Sequence, residues 1–402
     1  MNRTARDKTL DRPRPVERIE LSEGNPRRKL ILVCVFLAIA LAAFGYGISQ
    51  MLRTDADWTT IEVRGSGSLD CSRDFVFQYD FTGDRHASSD AKAMTRYYTE
   101  LCQYAFIQFH PSRLWEEYRN VAYLNAHPNE TVEVDPLLYR SLEAMEGTRY
   151  LYLGPAYEMA RSMFYSASDE EAASYNPELD PALKEFYQET AAFASDPESV
   201  NVELLGGNQV CLVVSDAYLR FCEENGTRMF LDFAWMTNAL IADYFAEQLT
   251  ASGYTAGCIS SFDGFCRCLD GRGTLYSLNL YTWQKEHFAL AGTADYTGPM
   301  SAAVLRDYPV SGEDSVHYYQ SPDGSCFSIY LDPSDGVSRS SIHEIYGLSD
   351  SMTCTQLALA MAPVFISREA DLRALEVYDA QWLTSGNGTV QSIGKQMTEA
   401  IR

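Results

Sequence analysis

The residues best suited to chemistry in this 402-residue chain are a few carboxylates in distinctive settings and three neighbouring thiols. Asp232 and Asp243 open and close the run DFAWMTNALIAD, Asp263 precedes Gly264 in SSFDGFCRC, and Asp332 precedes Pro333 in IYLDPSDG. Such carboxylates act as general acids or bases, or hold hard cations; they also cap helices and shape turns. Cys266 and Cys268 form a C-x-C pair shortly after Cys258. On a strand the pair shares one face, and its spacing fits no standard zinc pattern, so buried thiols or a disulfide are expected rather than a metal. There is no G-x-S-x-G elbow, Gly-rich phosphate loop, Walker sequence or H-E-x-x-H, and the six histidines are scattered, so the common motif-bearing hydrolase, P-loop and zincin classes find no support.

The elements that position these groups follow from periodicity and punctuation. Tyr97, Leu101, Ala105 and Phe109 recur at fours and predict a helix over 88–109. Asp135-Pro136 and Asp180-Pro181 each place a capping acid before a proline suited to a first helical turn. The stretch 166–177, rich in Ser, Asp, Glu and Ala, reads as a solvated loop. VNVELLGGNQVCLVV predicts a hairpin turning at Gly206-Gly207-Asn208, and a helix from Phe233 to Ser252 stops at Gly253. Short β-type runs follow: TAGCISSF, GFCRCL, TLYSLNLY, VHYYQSP, CFSIYLDP and SSIHEIYGL. A last apolar helix spans Thr353 to Phe365, ahead of ALEVYDAQWL and a turn at Ser385 to Gly388. This order predicts an α+β fold with a mostly antiparallel sheet and packed helices.

Leu30 to Leu52 carries no charge and is long enough to cross a bilayer as one helix, and Arg27, Arg28 and Lys29 precede it. The expected organisation is a disordered cytoplasmic tail at 1–29, a transmembrane helix at 30–52 and one extracytoplasmic domain at 53–402, with a cleaved signal peptide as the competing reading. That makes a single-pass cell-membrane protein with its N-terminus inside. The tail has a surplus of four positive charges, which leaves −27 for the rest against −23 for the whole chain. Nucleic acid is excluded as an expected partner, because phosphate binding rests on Lys and Arg. The expected contacts are the lipid bilayer, through Leu30 to Leu52, and a protein or small ligand outside. Asn129-Glu-Thr, Asn225-Gly-Thr and Asn387-Gly-Thr fit the short N-glycosylation pattern.

In the order of its landmarks the chain resembles the ApbE-type FAD:protein FMN transferases from Thr59 to Gly394. FHPSRLWEEYRNVAYLNAHP stands where that family has S-x-Y-x-x-x-S-x-x-x-x-L-N, ending on Leu124-Asn125. In GTRYLYLGPAYEMA, Gly147, Gly154 and Pro155 fit G-x-F-D-P-T-x-G-P-L. Leu231 leads into DFAWMTNALIAD in the register of D-L-G-G-I-A-K-G-Y-x-x-D, so that Asp232 and Asp243 match while Ala234, Trp235, Asn238 and Ala239 replace Gly, Gly, Lys and Gly. Asp263-Gly264 stands at the N-x-G-G turn. IYLDPSDG matches H-I-I-D-P-x-T-G at Asp332, Pro333 and Gly336, with Ile329 at the histidine, and SMTCT matches D-A-L-S-T at Thr355, with Ser351 in the acid's place.

The resemblance implies an ApbE/T-fold-like domain that uses Mg²⁺ to transfer FMN from FAD to a Thr or Ser of an exported flavoprotein acceptor. It implies catalytic roles for Asp232 and Asp332. Flavin contacts would fall to Gly154, Pro155, Asp232, Trp235, Asn238, Asp263 and Gly264, and metal contacts to Thr355 with Ser351 or neighbouring Asp350. The replacements predict weakened or lost transfer. Trp235 adds bulk, Asn238 removes a cation, Ile329 moves no proton, and Ser351 lacks an ionised oxygen for a hard metal. The alternatives are a non-enzymatic envelope domain that binds a protein or small ligand in a remodelled cleft and, further off, a redox or metal protein using Cys258, Cys266 and Cys268.

Overall fold

Helix placement follows the caps and apolar stripes of the sequence. The computed structural model of the protein describes residues 58–63, 70–84, 86–284, 287–310, 317–321, 324–386 and 389–402, all within the unit Ala56–Arg402. The basic tail and the apolar segment Leu30 to Leu52 lie outside the described residues. Among the described residues no helix is long and apolar enough to cross a membrane.

Strands β1 (Trp58–Thr60) and β2 (Phe75–Asp80) lead into α1 (Ala87–Phe109). Its buried stripe runs through Met94, Tyr98, Leu101, Ala105 and Phe109, one residue round from the expected face at its start, so Tyr97 sits at the margin. Then come α2 (Val121–Ala126), β3 (Thr131–Glu133) and α3 (Pro136–Ala144), followed by α4 (Gly154–Phe164), α5 (Asp169–Ala173) and α6 (Pro181–Ser195). Asp135 accepts from the Leu137 N–H at 3.0 Å and Asp180 from that of Ala182 at 2.9 Å, so both expected caps form. The stretch read as a loop instead contains α5, because Ser168 caps it and Asp169, Glu170 and Glu171 fill its first turn, where acids complement the helix dipole.

The expected hairpin is β4 (Val200–Gly206) and β5 (Gln209–Val214), turning through Gly207 and Asn208 at φ 58° and 61°. Helix α7 (Asp216–Glu224) and a 3₁₀ turn at Ala234–Met236 precede α8 (Thr237–Ala251). The remaining strands are β6 (Gly257–Ser261), β7 (Phe265–Cys268), β8 (Leu275–Gln284), β9 (His287–Thr297), β10 (Met300–Arg306), β11 (Tyr318–Gln320), β12 (Cys326–Ser328) and β13 (Glu344–Ser349). Helix α9 (Cys354–Phe365), capped by a Thr353–Gln356 box, leads to β14 (Gln381–Gly386), β15 (Thr389–Gly394) and β16 (Ala400–Ile401).

The main sheet has eight strands in the order β1-β2-β6-β7-β10-β13-β14-β15, and its strand pairs are antiparallel. The larger core packs helices α1, α8 and α9 on this sheet. A smaller one, around Leu280, Tyr296, Ala302 and Leu348, joins it to the β8–β9 hairpin. Sequence reading passed over β9 and β10. All seven residues of β10 are buried, and a strand covered on both faces loses the alternation that marks half-buried ones.

Candidate functional site

A cavity of about 460 Å³ opens where the end of α1, one flank of α4, the start of α8 and the β6–β7 turn converge. Phe106, Phe109 and Phe262 give it apolar faces; Asp74, Glu158, Arg161, Asp232, Asn238, Asp263, His110 and His317 are its polar groups. This size and mix suit a small organic ligand.

Asp232 is 1% exposed and anchors the wall. Its backbone N–H donates to the Leu151 carbonyl at 2.9 Å, and its Oδ1 accepts from the Ala234 N–H at 2.8 Å. Both oxygens are gripped by Arg161, Nη2 to Oδ1 at 3.0 Å and Nη1 to Oδ2. Burial alone would lower the Arg161 pKa, but Asp232 outweighs it and the guanidinium is held above its usual value. Ala234, where the resembled motif has glycine, keeps a left-handed φ of 45°.

Asn238 donates from Nδ2 to Asp263 Oδ2 at 2.9 Å, while Asp263 Oδ1 is buried without a partner. Burial raises the Asp263 pKa. Burial raises that of Glu158 as well, with Arg161 opposing. Asp74 goes up to about 6, first through desolvation and then through Asp263 and Asp70, although its side chain stays open to solvent. His110 accepts the N–H groups of Ser112 and Arg113 at Nδ1, which leaves the proton on Nε2, and burial and Arg113 depress its pKa.

Of the expected flavin-contact positions, Asp232, Asn238 and Asp263 meet at this cavity and the others serve packing. Trp235 is 1% exposed and wedged between Tyr150 and Tyr330, with ring centroids 5.5 Å away on both sides. A Cβ on Gly154 would fall 1.9 Å from the Met229 carbonyl oxygen, so glycine is needed for close backbone approach; Pro155 is buried beside it. Gly264, at φ 116°, presses on Val304. Asp332 shapes a turn, accepting from the Ser334 N–H at 2.9 Å and from Arg339 Nη1 at 2.5 Å.

The expected metal group is tied up elsewhere. Ser351 donates to Asp379 at 2.9 Å, Asp350 lies 3.7 Å from the Lys395 ammonium, and Thr355 Oγ1 is buried without a partner. One orphan hydroxyl beside a lysine-paired acid is a poor donor set for a hard divalent cation. Asp243 bridges two helices instead: its oxygens accept the Cys354 and Thr355 N–H groups, each at 2.9 Å, at the start of α9, and Arg267 pairs with it at 2.9 Å. Replacing Asp243 by alanine removes this remote cap and is expected to cost about 1–2 kcal/mol, checked by the shift in denaturant midpoint.

Sequence reading missed Arg161, His110, Asp74, Glu158 and His317. His317 has a signal only in three dimensions: its carbonyl accepts from the Ile329 N–H at 3.0 Å, so it continues the β11–β12 ladder directly opposite Ile329. Residues so paired project to the same face, so an imidazole enters the cavity from the strand facing the one that carries Ile329.

No protein-family model matches the sequence, and no curated protein matches it. Solved structures do. The flavin transferase ApbE from Vibrio cholerae is 14% identical with a TM-score of 0.53, over 84% of this chain and 96% of that one. The ApbE protein from Thermotoga maritima is 15% identical with a TM-score of 0.50, over 83% of this chain and 97% of that one. A single-site variant of the Vibrio protein gives 13% and 0.52. The chain therefore has an ApbE-like α+β fold.

Proposed function

We propose, from the premise of an ApbE-like fold, that this is a membrane-anchored extracytoplasmic domain that binds a flavin nucleotide and whose FMN transfer is weakened or lost. The anchor is Leu30 to Leu52, and the binding domain is 53–402. The observation that carries the reading is the Arg161–Asp232 pair: the cavity is open, but the buried carboxylate expected to act in it is neutralised by a half-buried guanidinium.

Phe106, Phe109 and Phe262 give the cavity apolar lining of the kind a planar ring takes, and the unpartnered Asp263 oxygen supplies an acceptor for a ring N–H. Thr237 and Asn238 bring the start of α8 to the cavity, where the Thr237 N–H is already donated to the Ala234 carbonyl of the preceding 3₁₀ turn. Flavin supplies the ring and the phosphates when bound; this chain's residues bind and orient it. The metal positions do not fit Mg²⁺, so no Mg²⁺-assisted step is assigned. An exported flavoprotein acceptor is a partner only if transfer survives.

Mixing the full chain with FAD, Mg²⁺ and a protein bearing a flavinylation threonine tests both halves. Saturable FAD binding without covalent flavin on the target is the expected result. Robust labelling would overturn the loss of transfer, and absent binding would overturn the flavin reading. The carboxylates Asp74, Glu158 and Asp263 favour a second reading, a non-enzymatic domain taking a neutral or cationic aromatic ligand. Acidity separates the two. Because Asp74 ionises near pH 6, FAD affinity should weaken about two- to fivefold as pH rises from 5 to 7, the scale of an exposed charge pair. Equilibrium dialysis should find that trend flattened in Asp74→Asn, whereas a cationic ligand would show the opposite slope.

A further inference from the structure

Three thiols gather where β6 and β7 pair, on the face covered by the β8–β9 hairpin. Cys258 Sγ lies 3.4 Å from Cys266 Sγ, and Cys258 stands directly opposite Cys268 in the ladder. The Leu269 N–H donates to the Gly257 carbonyl at 2.8 Å, so in this register Gly257 and Leu269 form the hydrogen-bonded pair. The next pair, Cys258 and Cys268, is then a non-hydrogen-bonded one, with Cα atoms about 4.5 Å apart, inside the span a disulfide accepts. Cys266 is the diagonal neighbour, about 7–8 Å away by Cα separation and so beyond that span, although its sulfur reaches Cys258; a Cys258–Cys266 bond needs backbone adjustment and is the transient one. Cys258 and Cys266 are half-buried and Cys268 is buried. Donation from Cys258 favours the Cys268 thiolate, aided by the Asp270 N–H and Tyr276, against the penalty of burial.

We infer that Cys258, Cys266 and Cys268 form a thiol–disulfide relay in which Cys258 is the shared partner and the resting oxidised form is a cross-strand Cys258–Cys268 disulfide. The oxidant is a low-molecular-weight disulfide. The Cys266 thiolate attacks one of its sulfurs and expels a thiolate. Cys258, 3.4 Å away, attacks the Cys266 sulfur of the mixed disulfide and expels the second. The Cys268 thiolate then attacks Cys258 and releases Cys266. Two protein thiols lose two electrons, one external disulfide becomes two thiols, and the two thiol protons pass to them. The bond pins the β6–β7 hairpin, whose turn carries Phe262 and Asp263 into the cavity wall. Such a bond persists on the outer side of a membrane.

The test equilibrates the full chain in reduced and oxidised glutathione, alkylates free thiols under acid quench and maps tryptic peptides by mass spectrometry. Cleavage after Arg267 separates Cys268 from the other two, so a Cys258–Cys266 link differs in mass from a link to Cys268, and fragmentation that locates the remaining alkylated cysteine tells Cys258–Cys268 from Cys266–Cys268. Wild type should lose two of the three alkylatable thiols and show the Cys258–Cys268 link. Cys266→Ser should keep that link, and Cys258→Ser should leave both remaining thiols free. Full alkylation of all three in oxidised wild type would overturn the inference, as would a Cys266–Cys268 link in Cys258→Ser. If a variant fails to fold, the wild-type map alone decides.

Discussion

Replacing Arg161 with methionine is expected to destabilise the protein by about 3 kcal/mol, because a buried carboxylate left without its partner keeps its desolvation cost and loses its compensation. Asp232 has a side chain only 2% exposed, whereas Arg161 keeps 30%. That remaining solvent access puts the cost at the lower end of the usual range for broken buried pairs. The double variant Arg161→Met/Asp232→Asn should recover much of the loss, since the amide oxygen still accepts from the Ala234 N–H and no charge is stranded. Urea midpoints of the two variants measure the difference. If the single variant unfolds where wild type does, the pair is not what holds this wall.

The second large effect is at Trp235. Truncation to alanine empties the space between Tyr150 and Tyr330 and is expected to cost about 3–5 kcal/mol. Phenylalanine should cost only about 1–2 kcal/mol, because the indole N–H has no acceptor to lose. Neither change touches the cavity wall, so Trp235→Phe should bind FAD with unchanged affinity in the same dialysis experiment. A selective loss of affinity there would return Trp235 to the ligand-lining role that the sequence resemblance implies.

Local signals were the legible ones. Asp135-Pro136, Asp180-Pro181, the Gly-Gly-Asn turn and the Thr353 start each act within a few residues, and each formed where spacing put it. Asp232, Asn238 and Asp263 line one cavity. What could not be read was whatever depends on distant partners. Arg161 meets Asp232 across 71 positions, and nothing near Arg161 marks it as that partner. His317 lies opposite Ile329 only because two short strands pair. Trp235 and Gly154 are explained by neighbours from other elements, and a buried strand such as β10 shows no periodicity to read. Cys258, Cys266 and Cys268 were grouped by sequence, but which of them face each other needed the ladder register.

The acidic wall has a kinetic consequence. Asp74, Glu158 and Asp263 line a cavity in a domain with a large negative surplus, so a dianionic ligand approaches against the field instead of being steered by it. Added salt shortens the reach of that field, and FAD capture should therefore speed up as ionic strength rises, the reverse of the usual trend for oppositely charged partners.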